Sequence, residues 1–129
     1  MTPAELMDKA SRALASARLL LDAGDTDGAC NRAYYAMFDA ARAALAVADD
    51  EGMIAKTHSG LISAFSLRFV KTAEIPVELG KALNAVSELR QAGDYTGLTM
   101  PKDKAAWAMT RAEAFVAAIE QLVKNVPHK

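Results

Sequence analysis

Eight polar and aromatic side chains hold whatever chemistry this chain performs: Arg32, Tyr34, Tyr35, Asp39, His58, Arg90, Asp94 and Tyr95. Arg90 stands out because Leu79, Leu83, Val86 and Arg90 fall at i, i+4, i+7 and i+11, on one face of a helix. A guanidinium does not give up its proton in an ordinary protein, so on a core-facing stripe it must meet an anion or several acceptors. One reading is a structural ion pair with Asp94 at i+4, which also suits the negative end of a helix dipole. The other is a phosphate-binding arginine at a cleft, with Asp94 orienting it. Tyr35 shares a polar face with Arg32, Asp39 and Arg42. That face either stacks a base beside a held phosphate or is a solvated surface with local Arg–Asp pairs. Tyr34 lies in line with Phe38, Ala41 and Leu45 and is expected in the core, its hydroxyl partnered. His58 follows Thr57, a natural N-cap, and is either a hydrogen-bonded structural group or an imidazole available for proton transfer.

Other chemistries are set aside by composition and spacing. The seven glycines are scattered singly, with no phosphate-cradling loop. One cysteine (Cys30) and two distant histidines (His58 and His128) suggest no metal site, and no cofactor is implied. Cys30 sits in an apolar helical sector and reads as a core thiol in a reducing compartment. The formal net charge is -1 with 24% charged residues, so no global basic field draws the chain to nucleic acid or membrane. No apolar run approaches the ~20 residues of a membrane span, and the start, Met1-Thr2-Pro3-Ala4-Glu5, lacks a secretory pattern. The expected location is the cytoplasm.

Helices must position these groups. Hydrophobic residues make up 52% of the 129, much of that alanine, and only 6% are aromatic, a balance that favours helices packed through small side chains. Thr2-Pro3-Ala4-Glu5 opens a first helix, which Gly24 closes. Asp25-Thr26-Asp27 opens a second, running to about Ala48. A third is predicted from Thr57 to Lys71 and a fourth from Pro76 to Ala92 or Gly93. A loop follows from Asp94 to Pro101, then a fifth helix from Lys102 to Lys124. Strand-period alternation is absent. The expected fold is all-α: one domain over residues 1–129, an up-and-down antiparallel bundle of about five helices. The first two helices have some flavour of a tetratricopeptide repeat, but the later ones do not keep the period. Trp107 projects away from the apolar face of the fifth helix, which points to a subunit interface or to end-of-bundle packing.

Two stretches resemble the HEPN domain family: Asn31-Arg32-Ala33-Tyr34-Tyr35-Ala36-Met37-Phe38 on the second helix, and Leu89-Arg90-Gln91-Ala92-Gly93-Asp94-Tyr95 at the end of the fourth. Lys56-Thr57-His58-Ser59-Gly60 and Phe69-Val70-Lys71 add to the match, which with the five-helix layout spans essentially the whole chain. The resemblance implies a helical bundle that forms homodimers and acts with a minimal nucleotidyltransferase encoded nearby, often in toxin–antitoxin or defence modules. Catalytically active members are metal-independent RNases. Their motif pairs an arginine with a histidine a few residues further on, brought together across the dimer. This chain departs from that motif, because the position reached from Arg90 is Tyr95 and no histidine follows closely.

A metal-free RNase needs a base for the 2′-OH proton and an acid for the leaving 5′-oxygen. An ordinary tyrosine, with a pKa near ~10, is a poor base at neutral pH. The expected function is therefore a HEPN-like nucleotide- or RNA-binding module using Arg32, Tyr35, Arg90, Asp94 and Tyr95, dimeric and paired with a nucleotidyltransferase. The alternative is a toxin-type RNase in which Arg90 stabilises the phosphate and Tyr95 or His58 completes the degenerate motif. A third reading is a structural dimer without ligand.

Overall fold

Residues 1–48 and 57–125 are described by the computed structural model, apart from the side chains of Asp94 and Tyr95. The first helix, α1 (Pro3–Asp22), starts where the sequence requires: Thr2 accepts from the Glu5 N–H at 3.1 Å, and the Glu5 carboxylate accepts from the Thr2 N–H at 3.0 Å. Such a capping box satisfies two otherwise orphaned donors. The buried stripe of α1 is Leu6, Ala10, Ala13, Ala17 and Leu21. Its three central alanines let α2 (Thr26–Val47) lie close along it, and this is the most extensive helix pair in the fold. Asp25 caps α2, accepting from the Gly28 N–H at 2.9 Å.

Thirteen of the 22 residues of α2 are buried, too many for a surface helix with one apolar stripe. This is the central helix, with α1, α4 (Val77–Thr96), α5 (Lys102–Asn125) and α3 (His58–Phe65) arranged around it. The result is the all-α bundle expected, with no strand among the described residues. Its largest fully buried side chains are Tyr34, Phe65, Phe115, Met37 and Leu83. Phe65 stacks obliquely on both Phe69 and Phe115, with centroids 5.3 Å apart in each case.

Three features differ from the sequence-based expectation. The predicted third helix is α3 followed by a π-helical turn, Ser66–Val70, and then a reversal through Ala73 at φ 63. Gly80 of α4 lies against this turn, and a Cβ there would fall 2.8 Å from a Val70 methyl. Second, α4 runs through Gly93 to Thr96, because the left-handed glycine that stops it is Gly97 at φ 69. Asp94 and Tyr95 are therefore helical, not part of a loop. Third, Asp39 is buried at 4% exposure, not solvated. It lies beside Arg42 at 3.5 Å and within reach of the Lys9 charge on α1.

A feature with no sequence signal ties the α4–α5 connection to the start of α2. The Thr26 hydroxyl donates to the Met100 carbonyl at 2.6 Å, and the Met100 N–H donates to the Asp27 carboxylate at 2.8 Å. Met100 itself is buried. This two-point clasp holds the exit of α4, and with it the helix end that carries Arg90. Among the described residues no helix is long and apolar enough to cross a membrane.

Candidate functional site

Arg90 reaches from α4 across to α2. Its guanidinium carbon lies 4.8 Å from the centroid of the Tyr34 ring and 5.7 Å from that of Tyr35, both within cation–π range. On the predicted stripe, Leu83 and Val86 are buried while Leu79 and Arg90 are half-buried. The arginine thus sits at the rim of the core, above aromatic rings. Tyr34 and Tyr35 meet edge to face at 5.2 Å, the arrangement favoured by the ring quadrupoles.

The next member, His58, comes from a distant stretch of the chain. His58, in the first turn of α3, lies 4.6 Å from Phe38, 5.6 Å from Tyr34 and 5.7 Å from Tyr35, centroid to centroid. Thr57 makes this possible by capping α3, its hydroxyl accepting from the Gly60 N–H at 3.0 Å. Three helices therefore converge on one cluster: Tyr34, Tyr35 and Phe38 from α2, His58 from α3 and Arg90 from α4. Tyr34 is fully buried and forms the floor, while the other four are half-buried and reachable from solvent.

The electrostatics follow from this packing. Burial lowers the His58 pKa below its usual value, and the nearby Arg90 cation lowers it further. The imidazole is accordingly neutral at neutral pH. Burial raises the Tyr34 phenol pKa, with the Ser87 hydroxyl and Arg90 both opposing that rise. The Tyr34 hydroxyl makes no hydrogen bond of good geometry, and Ser87, buried on α4, is a polar group facing it. Ser87 in turn accepts from the Gln91 amide at 3.3 Å.

Of the residues expected at the site, the structure brings together Arg90, Tyr35 and His58. Arg32 is half-buried one turn before Tyr35, and its charge acts on Asp39, together with Lys9 of α1 and Arg42. Burial nevertheless dominates at Asp39 and raises its pKa. The side chains of Asp94 and Tyr95 lie outside the described residues, so neither the Arg90–Asp94 ion pair nor a role for Tyr95 is assigned from geometry. Phe38 and Ser87 are members that sequence reasoning did not select. Their signal lay in helical spacing, Phe38 at i+4 from Tyr34 and Ser87 at i−3 from Arg90. Among the described residues no group of histidine, cysteine or carboxylate side chains has metal-binding geometry.

A guanidinium over two tyrosines, with a neutral imidazole on the same rings, offers two distinct capabilities. The cation can hold a phosphate oxygen beside rings able to stack a base, and the imidazole can accept a proton. Comparison with known proteins places the chain in a family. The HEPN domain model matches residues 4–122. A UPF0332 protein of Thermotoga maritima is 37% identical over 92% of this chain and 88% of its own length. Two Methanocaldococcus jannaschii proteins, each named "Putative toxin", are also similar. One is 31% identical, covering 94% of this chain and 88% of the relative. The other is 30% identical, covering 87% and 75%. The chain belongs to the HEPN domain family.

Proposed function

We propose that this protein is a toxin-type HEPN module whose cluster of Arg90, His58, Tyr34, Tyr35 and Phe38 binds a phosphate of RNA or of a nucleotide. The observation that carries the reading is the Arg90 guanidinium held 4.8 Å above the Tyr34 ring at an accessible rim. The names of the Methanocaldococcus jannaschii relatives support the toxin class. Arg90 holds the phosphate, Tyr35 and Phe38 present ring surface to a base, and Arg32 adds positive charge on the Tyr35 flank. Asp94 and Tyr95, in the turn of α4 beyond Arg90, complete the binding set. The module works in the cytoplasm as a single unit over residues 1–129, forms a homodimer and pairs with a minimal nucleotidyltransferase.

A second reading, RNA cleavage, is favoured by one observation: His58 stands beside the same rings as Arg90 with its pKa lowered. In that reading the neutral imidazole takes the 2′-OH proton while Arg90 stabilises the charge gathering on phosphorus-bound oxygens. The 2′-oxygen bonds to phosphorus, the bond to the 5′-oxygen breaks, and Tyr95 protonates the departing oxygen.

One experiment separates the readings. End-labelled single-stranded RNA is incubated with purified protein in EDTA, alongside Arg90→Ala and His58→Ala variants. The binding module retains RNA intact and loses it with Arg90→Ala. The RNase yields 2′,3′-cyclic phosphate ends, and both variants abolish them. RNA neither bound nor cut refutes the RNA readings, and a nucleotide titration that likewise shows no binding leaves the structural dimer.

A further inference from the structure

A separate groove runs between the π-helical turn and the first half of α4. It encloses about 620 Å³, within the size range of ligand-holding clefts (~300–1,000 Å³). The half-buried Ile62 and Val70 form its apolar walls, over the buried Phe65 and Leu83. Its lips carry Leu67 and Val77, exposed at 53% and 49%, two of the six large hydrophobic side chains that the described surface leaves in solvent. The charged side chains lining the groove are Lys71 and Lys81, both exposed, with no acid among the lining residues. At one side Gly80 lets α4 pack directly on Val70, since a Cβ there would fall 2.8 Å from its methyl.

We infer that this groove is a docking surface for an acidic, leucine-bearing helical segment of a partner protein. Apolar lips and floor match the buried face of an amphipathic helix, which enters such grooves through anchors at i, i+3, i+4 and i+7. The lysine pair selects for acidic flanks, because a basic helix would set like charges across the rim. An open trough with exposed apolar lips suits a helix better than a small ligand, which is usually enclosed on most sides. Nothing in this inference depends on the Arg90 cluster.

The test uses the full chain, 15N-labelled, and a synthetic helix with leucines at i, i+3 and i+7 and glutamates on both flanks. Amide shifts are expected to move in residues 66–71 and 77–84. The Lys71→Glu/Lys81→Glu variant, altered only at exposed positions, is expected to bind the same peptide at least tenfold more weakly. It should regain affinity for a lysine-flanked version of the peptide. The inference is overturned if glutamate- and lysine-flanked peptides bind the wild-type chain alike, or if the shifts fall elsewhere. It is equally overturned if the groove amides shift with protein concentration alone, which would make the occupant a second copy.

Discussion

Replacing Arg90 with methionine isolates the guanidinium, because most of the apolar stem is retained. The cation sits over two rings, at 4.8 and 5.7 Å, while half-buried. At that depth the ring contacts contribute about 1 kcal/mol, between exposed and desolvated cation–π pairs. For a chain of this size such a loss lowers Tm by about 4 °C. A second consequence is more diagnostic. Arg90 helps to hold the His58 pKa down and opposes the burial-driven rise at Tyr34. Removing the cation should therefore raise both pKa values, moving His58 back toward its usual value and Tyr34 further from its own. The assay is an NMR titration of the imidazole C–H resonances, in a His128→Gln background so that a single histidine is observed. A His58 midpoint that stays put or falls in Arg90→Met refutes the proximity on which the site rests.

Three further predictions concern the scaffold. Thr26→Val removes the buried hydroxyl that donates to the Met100 carbonyl and should cost about 1–2 kcal/mol in denaturant unfolding; an unchanged midpoint would mean that the clasp is not a real constraint. Ala73 holds φ 63, a left-handed conformation strained for a residue with a Cβ, so Ala73→Gly should stabilise the fold by about 1 kcal/mol, and destabilisation would contradict this. The raised pKa of Asp39 means that the folded state holds its proton more tightly than the unfolded one. The Asp39 contribution to stability should then be fully present below the unfolded carboxyl pKa near ~3.9 and be lost as pH rises through the folded value. Asp39→Asn should remove that contribution and be no less stable at pH 7, measured by urea unfolding across the pH range. An asparagine variant markedly weaker at pH 7 would show that attraction from Lys9, Arg32 and Arg42 outweighs burial.

Local physics made much of the fold legible. The Thr2–Glu5 capping box, the Asp25 and Thr57 caps and the alanine stripe of α1 are signals written within a few residues, and each marks an element correctly. The exposure of Trp107, at 42%, likewise follows from its place on the helix wheel. The misread features are set by distant parts of the chain. A wheel drawn for α2 alone puts Asp39 in solvent, and packing of the other helices, with Lys9 of α1 close enough to act on it, buries it. Gly93 and Gly97 are equally plausible stops for α4 in sequence, and the second is the one that takes up the left-handed conformation. Half of the site is readable on the same terms, since Arg90 and the tyrosines announce themselves by type and spacing. The approach of His58 to Phe38 and the tyrosines is not, because it depends on how α3 is laid against α2.

Fluorescence anisotropy of a labelled single-stranded RNA, titrated with wild-type and Arg90→Met protein at fixed salt, shows whether Arg90 holds an RNA phosphate. A phosphate hydrogen-bonded to a charged donor is worth about 1.5–3 kcal/mol. The substitution should therefore weaken binding roughly 10- to 150-fold, with affinity falling as salt is raised. Equal affinity for the two proteins would contradict the assignment of Arg90 and its tyrosines as the RNA phosphate site.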